Sequence, residues 1–106
     1  MVTMRDIRAV GRRIARRFRP ERIILFGSHA RGTATDDSDV DLLVIMPFEG
    51  DSLWKSGEVL AAANPDFAAD VIVRTPQAVQ RRLEMGDRFM QDILTKGKVL
   101  YEAHRG

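Results

Sequence analysis

Residues 22 to 46 hold two short apolar runs, Arg22 to Phe26 and Leu42 to Met46, separated by a polar segment that opens on Gly27-Ser28 and closes on Asp39-Val40-Asp41. The first run is β-branched and aromatic and is closed by a glycine, so it reads as a buried strand. The second, counted from Asp39, is a strand ended by Pro47. Residues 27 to 37 are rich in Gly, Ser, Thr and Asp and read as a loop, with one helical turn starting at Ser28. Two strands joined by such a loop fix the centre of the fold, because whatever else the chain forms must cover them.

The flanking segments supply that cover. Ile7, Val10, Ile14 and Phe18 recur at spacings of three and four, with Ala15 in the same stripe, which predicts an amphipathic helix over about 3–19 with Thr3 as its cap and Pro20 as its stop. A second helix is expected over 52–63, capped by Asp51 or Ser52, with Leu53, Val59 and Leu60 facing inward. Phe67 to Arg74 reads as a third strand. Thr75-Pro76 has the cap-then-proline order that starts a helix over 76–85. Asp87 caps a last helix through Phe89, Ile93 and Leu94, which ends at Gly97 as a C-terminal glycine, and Val99 to Tyr101 forms a short final strand. Helices alternating with strands give an α/β fold in one domain over 1–106. It consists of a basic N-terminal helix (about 3–19), a core (about 21–75), and C-terminal helices and strand (about 76–103).

In a strand, residues i and i+2 share a face, so Asp39 and Asp41 project together, about 6.5–7 Å apart. Carboxylates held that close repel unless a cation lies between them, and a hard divalent metal meets that condition. Asp70 lies centrally in the run 67–74 between apolar neighbours, where an ionised carboxylate is costly unless paired or metal-bound. If that strand lies beside the Asp39 strand, three carboxylates can cradle two ions and clamp both oxygens of an in-line phosphoryl displacement. Gly27 lets backbone approach a phosphate, and Ser28 offers a hydroxyl and N–H groups at the start of a helical turn. Arg31 adds a planar cation for phosphate oxygens, unless it pairs with Asp36 or Asp37. Ser38 either caps the loop or bonds a phosphate, and His29 reads as a loop residue rather than a base.

Gly27-Ser28, ten intervening residues, then Asp39-Val40-Asp41 resembles the signature of nucleotidyltransferases of the DNA polymerase beta superfamily. The run from Gly27 through Gly32, with Ser38 to Leu42, is similar to its minimal (MNT) branch. The resemblance implies a nucleotidyltransferase fold with a mixed sheet, ATP or another NTP as donor, and two Mg²⁺ ions. Asp39 and Asp41 would hold the metals, Asp70 would help bind the one that activates the acceptor hydroxyl, and Gly27 and Ser28 would bind the triphosphate. It also implies a context. Small MNT proteins resemble the antitoxins paired with HEPN ribonuclease toxins, which AMPylate a tyrosine of their partner. Larger relatives that modify aminoglycosides carry a second domain for the acceptor, which 106 residues leave no room for, so the expected acceptor is a protein.

Charge is distributed unevenly. Residues 1–22 hold eight arginines against Asp6 and Glu21, whereas the remainder holds nine basic and thirteen acidic residues. The arginine-rich helix is therefore either a solvated face, a dock for an acidic partner, or an RNA contact. No aromatic residue stands among the arginines to stack a base, which favours the protein partner. Trp54 and Met46 read as core or rim, with Trp54 available as an interface anchor. A small core and the asymmetric charge favour homo- or hetero-oligomeric association. Without cysteine, disulfides and thiolate-metal sites are excluded. No apolar run approaches a membrane span and no secretory pattern opens the chain, so a cytoplasmic location is expected. Two other functions fit the same residues: a non-catalytic module that neutralises a toxin by occlusion, and an RNA-binding or RNA-end-modifying protein.

Overall fold

A computed structural model describes residues 1–104. The elements run α1 (Met4–Phe18), β1 (Arg22–Phe26), α2 (Ser28–Arg31), β2 (Val40–Ile45), α3 (Ser52–Ala63), β3 (Ala69–Arg74), α4 (Pro76–Glu84), α5 (Arg88–Lys96) and β4 (Lys98–Glu102). The four strands form one mixed sheet in the order β3-β2-β1-β4. β1 is antiparallel to both β2 and β4, whereas β2 and β3 run parallel across the α3 crossover. The expected α/β class with a mixed sheet is the fold observed.

Strand alternation splits the interior into two layers. Ile23 and Leu25 of β1, with Val40, Leu42 and Val44 of β2, point to one face, which α1 covers through Ile7, Val10 and Ile14 and α3 through Val59 and Ala63. Ile24, Leu43 and Ile45 point to the other face, covered by Val79 of α4 and by Met90 and Ile93 of α5. The first is termed the back and the second the front.

Helix starts follow the cap chemistry read from sequence. The Thr3 hydroxyl accepts from the Asp6 amide while Asp6 accepts from the Thr3 amide, a reciprocal capping box. Asp51, Thr75 and Asp87 cap α3, α4 and α5. One expectation about burial fails. Leu53 is 82% exposed, because the buried stripe of α3 runs through Ser56, Val59 and Ala63 and Leu53 lies off it. On α5, Met90 and Ile93 turn inward and Phe89 is 56% exposed. Gly97 does end α5, but in an extended rather than a left-handed conformation. A Cβ there would strike Ile24 Cγ2 and stand 2.9 Å from the Leu25 carbonyl oxygen, so glycine is needed to let the end of α5 settle on β1.

β3 is an edge strand, and α3 closes part of that edge with two serines. The Ser52 hydroxyl donates to the Val73 carbonyl (2.7 Å). Ser56 Oγ accepts from the Val73 amide (2.9 Å) and donates to the Ser52 carbonyl (2.8 Å). No helix among the described residues is long and apolar enough to cross a membrane.

Candidate active site

β1 ends at Gly27, whose backbone (φ 77°, ψ −157°) is open in practice only to glycine. A Cβ on Gly27 would overlap Asp41 Oδ2 and stand 3.3 Å from Asp41 Cγ. Glycine is thus required here by a neighbouring carboxylate, a reason that the sequence does not display. The four-residue turn α2 follows, with the Ala30 and Arg31 amides donating to the Gly27 carbonyl (3.1 Å each). The loop back to β2 is closed on itself: the Thr35 amide donates to Ser38 Oγ (2.9 Å) and the Ser38 amide to the Thr35 carbonyl (3.0 Å). His29 Nε2–H donates to the Ser38 carbonyl (3.2 Å), tying α2 to the residue before Asp39. Ser38 and His29 therefore hold the loop that delivers the carboxylates. The Ser38 hydroxyl accepts from the Thr35 amide and lies 3.3 Å from the Thr35 hydroxyl.

Sheet register brings three groups into one row on the front face. Asp41 lies beside Asp70 across the parallel pair and beside Phe26 across the antiparallel pair. β2 begins at Val40 rather than at Asp39, so Asp39 ends the loop just before the strand, close enough for its charge to act on Asp41. Asp70 is the second residue of its strand and is exposed, not central and buried. The desolvation argument made for it from sequence does not apply, because the strand begins at Ala69 rather than Phe67. Its adjacency to Asp41 is what the tertiary structure supplies. Asp41 is half-buried, and burial, reinforced by the charges of Asp70 and Asp39, pushes its carboxyl above the usual carboxylate range; His29 and Arg31 oppose that shift.

Among the described residues no group of three or more His, Cys, Asp or Glu side chains is gathered closely enough to hold a metal by itself. The row is an open set of hard oxygen donors that repel one another, not a closed cage. Such a set fits Mg²⁺, which takes one or two carboxylates and completes its shell with water and substrate phosphates.

Beside the row, where α5 stops short of covering the front face, lies a cleft of about 340 Å³. Gly27, Ala30, Arg31 and Asp41 form one wall, and Phe89, Asp92, Ile93 and Lys96 of α5 form the other. Asp39, Asp70, Ser28 and Ser38 are not part of this lining. Phe89 meets Phe26 edge-to-face at 5.7 Å between ring centroids. Arg31 makes no ion pair with Asp36 or Asp37 and is left to the cleft. The sequence predicts a helix here and assigns none of its residues to the site, although Phe89, Asp92 and Lys96 stand at the three- and four-residue spacing of one helix stripe. The arginines of α1 are exposed on the back layer, across the sheet from the carboxylates.

The family model for the nucleotidyltransferase domain matches residues 7–101. The chain belongs to this nucleotidyltransferase family. A protein of Methanocaldococcus jannaschii, provisionally named a protein adenylyltransferase, is 32% identical over 93 residues, covering 80% of this chain and 82% of the relative. Among solved structures, a protein of Sulfolobus solfataricus provisionally described as a nucleotidyltransferase superposes with a TM-score of 0.67 at 18% identity, over 97% of this chain and 83% of that one. A toxin–antitoxin crystallised with AMP-PNP gives 0.53 at 22% identity, over 92% and 74% of the two chains. A mutant of the toxin–antitoxin pair MntA–HpeT gives 0.51 at 19%, over 98% and 76%. At these identities the structures establish the fold alone. This nucleotidyltransferase thus carries its Gly-Ser and Asp-x-Asp segments on the strand–loop–strand unit that its sheet places at the open end of the front face.

Proposed function

We propose that this nucleotidyltransferase moves a nucleoside monophosphate, AMP from ATP, onto a hydroxyl of a protein partner, and that the partner is a HEPN ribonuclease toxin which the modification silences. The observation that carries the reading is the row Asp70–Asp41 with Asp39, set beside the cleft that Gly27 and Arg31 line. Asp39 and Asp41 would hold Mg²⁺, and Asp70 would share the ion nearer the acceptor. Bound there, Mg²⁺ polarises phosphoryl oxygens and lowers the pKa of an attacking hydroxyl. Gly27 and Ser28 bind the triphosphate, and Arg31 directs its guanidinium to the phosphate oxygens. The acceptor hydroxyl loses its proton to solvent as its oxygen bonds to the α-phosphorus, the bond from that phosphorus to the oxygen bridging to the β-phosphate breaks, and pyrophosphate leaves. The name of the archaeal relative supports a protein acceptor, and the toxin–antitoxin neighbours support its being a toxin.

With labelled ATP, Mg²⁺ and a HEPN ribonuclease as acceptor, the double substitution Asp39→Asn with Asp41→Asn is expected to lower transfer by at least about 1,000-fold while circular dichroism stays unchanged. Full transfer by that variant would overturn the mechanism. A second reading, neutralisation by occlusion, draws on Leu53 and Trp54, adjacent on α3 and each about four-fifths exposed. Contiguous exposed apolar surface is what a protein contact would cover. Toxin inhibition that persists without ATP and Mg²⁺ would select occlusion.

A further inference from the structure

We propose that Lys96, at the end of α5, is the second cationic ligand of the nucleotide's outer phosphates, and that Asp92 is its resting partner, displaced when nucleotide enters. The inference rests on reading this cleft as the nucleotide site, and it adds to that site a residue outside the Gly-Ser and Asp-x-Asp segments. Across the front of the sheet, charge is ordered. Asp70 on β3 and Asp41 on β2 stand at one side, Phe26 on β1 forms an apolar floor, and Lys96 comes down at the β4 side, directly before Gly97. Gly97 fixes that position, since any side chain there would collide with Ile24 and hold the end of α5 off β1.

Arg31 and Lys96 are the two cations of the cleft, one on each wall. A triphosphate with its α-phosphate at the carboxylate side has its outer phosphates toward Lys96, which is also where the leaving pyrophosphate gathers charge. Lys96 is free to serve. Its bond to Asp92 is 3.6 Å long, with the two side chains 72% and 62% exposed, and such pairs hold little free energy.

The test is direct binding of ATP and of AMP to the full chain by titration calorimetry, with Mg²⁺ present and no partner. Lys96→Ala is expected to weaken ATP about tenfold or more and to leave AMP unchanged, and Lys96→Arg to restore most of the loss. Asp92→Asn, which removes the competing carboxylate, is expected to tighten ATP a few-fold. A purely structural role for the pair would not move the two variants in opposite directions. Lys98→Ala is the charge-matched control, because Lys98 is exposed and pairs with Leu25, whose side chain faces the back layer. Equal ATP affinity in wild type and Lys96→Ala overturns the inference and leaves the proposed function standing. No ATP binding by the wild-type chain overturns both.

Discussion

The back of the sheet buries twelve residues under α1 and α3, from Ile7 to Val73, while the front buries six under α4 and α5, with the carboxylate row left outside the smaller group. Both faces come from the same strands, whose side chains alternate between them. β2 shows the contrast in consecutive residues, since Val40 and Leu42 are fully buried on the back and Asp41 between them stands half-open on the front. The back layer supplies most of the apolar burial. The front layer ends early, and the uncovered strand ends can carry charge that a closed face would not tolerate.

Substitutions on the two faces should therefore separate stability from transfer. The largest stability loss is expected at the back. Ile14→Ala, at a fully buried site on α1, should cost about 2–5 kcal/mol in denaturant unfolding while the folded fraction keeps its ATP affinity. A parallel loss of affinity would mean that the layers are not independent. Gly27→Ala comes next, with about 1–3 kcal/mol of backbone strain. Because its Cβ would also displace the Asp41 carboxylate, transfer should fall far more than stability does. Ser56→Ala leaves the Val73 amide without its hydroxyl acceptor and should cost about 1–3 kcal/mol, with faster hydrogen exchange at Val73 and unchanged ATP binding.

The smallest effect has the opposite sign. The folded-state pKa of Asp41 is raised by burial and by Asp70 and Asp39, so its contribution favours folding below the unfolded carboxylate range and is lost as pH rises through the folded value. Above that, the ionised group works against the fold. Asp41→Asn should then melt slightly higher than wild type at pH 7 without metal or nucleotide, by less than about 1 kcal/mol because the site is half-open and screened. The gain should vanish in acid. A lower melting point for Asp41→Asn at pH 7 would show that the front row has a structural role, and the contrast between the faces would collapse.

Much of this was legible in the chain because local chemistry decides it. The caps at Thr3, Thr75 and Asp87, the run from Arg22 to Phe26 and the helix over 52–63 depend on residues within a few positions of one another. The errors fall where local pattern competes with partners distant in sequence. Leu53 is an apolar residue near a buried stripe, and only the position of the sheet beneath α3 turns it outward. Asp70 looks buried because its neighbours are apolar, yet β3 starts later than that pattern suggests and leaves it in solvent.

The sequence by itself determined the strand–loop–strand unit, the spacing from Gly27-Ser28 to Asp39 and Asp41, and the family, since these follow from a single chain segment. Tertiary structure alone decided that Asp70 stands beside Asp41, that Gly27 must lack a side chain because Asp41 occupies the space, and that Phe89, Asp92 and Lys96 wall the cleft. Each of these is a contact between segments tens of residues apart. Their approach is set by strand register and by how far α5 reaches across the sheet, which no periodicity within one segment encodes.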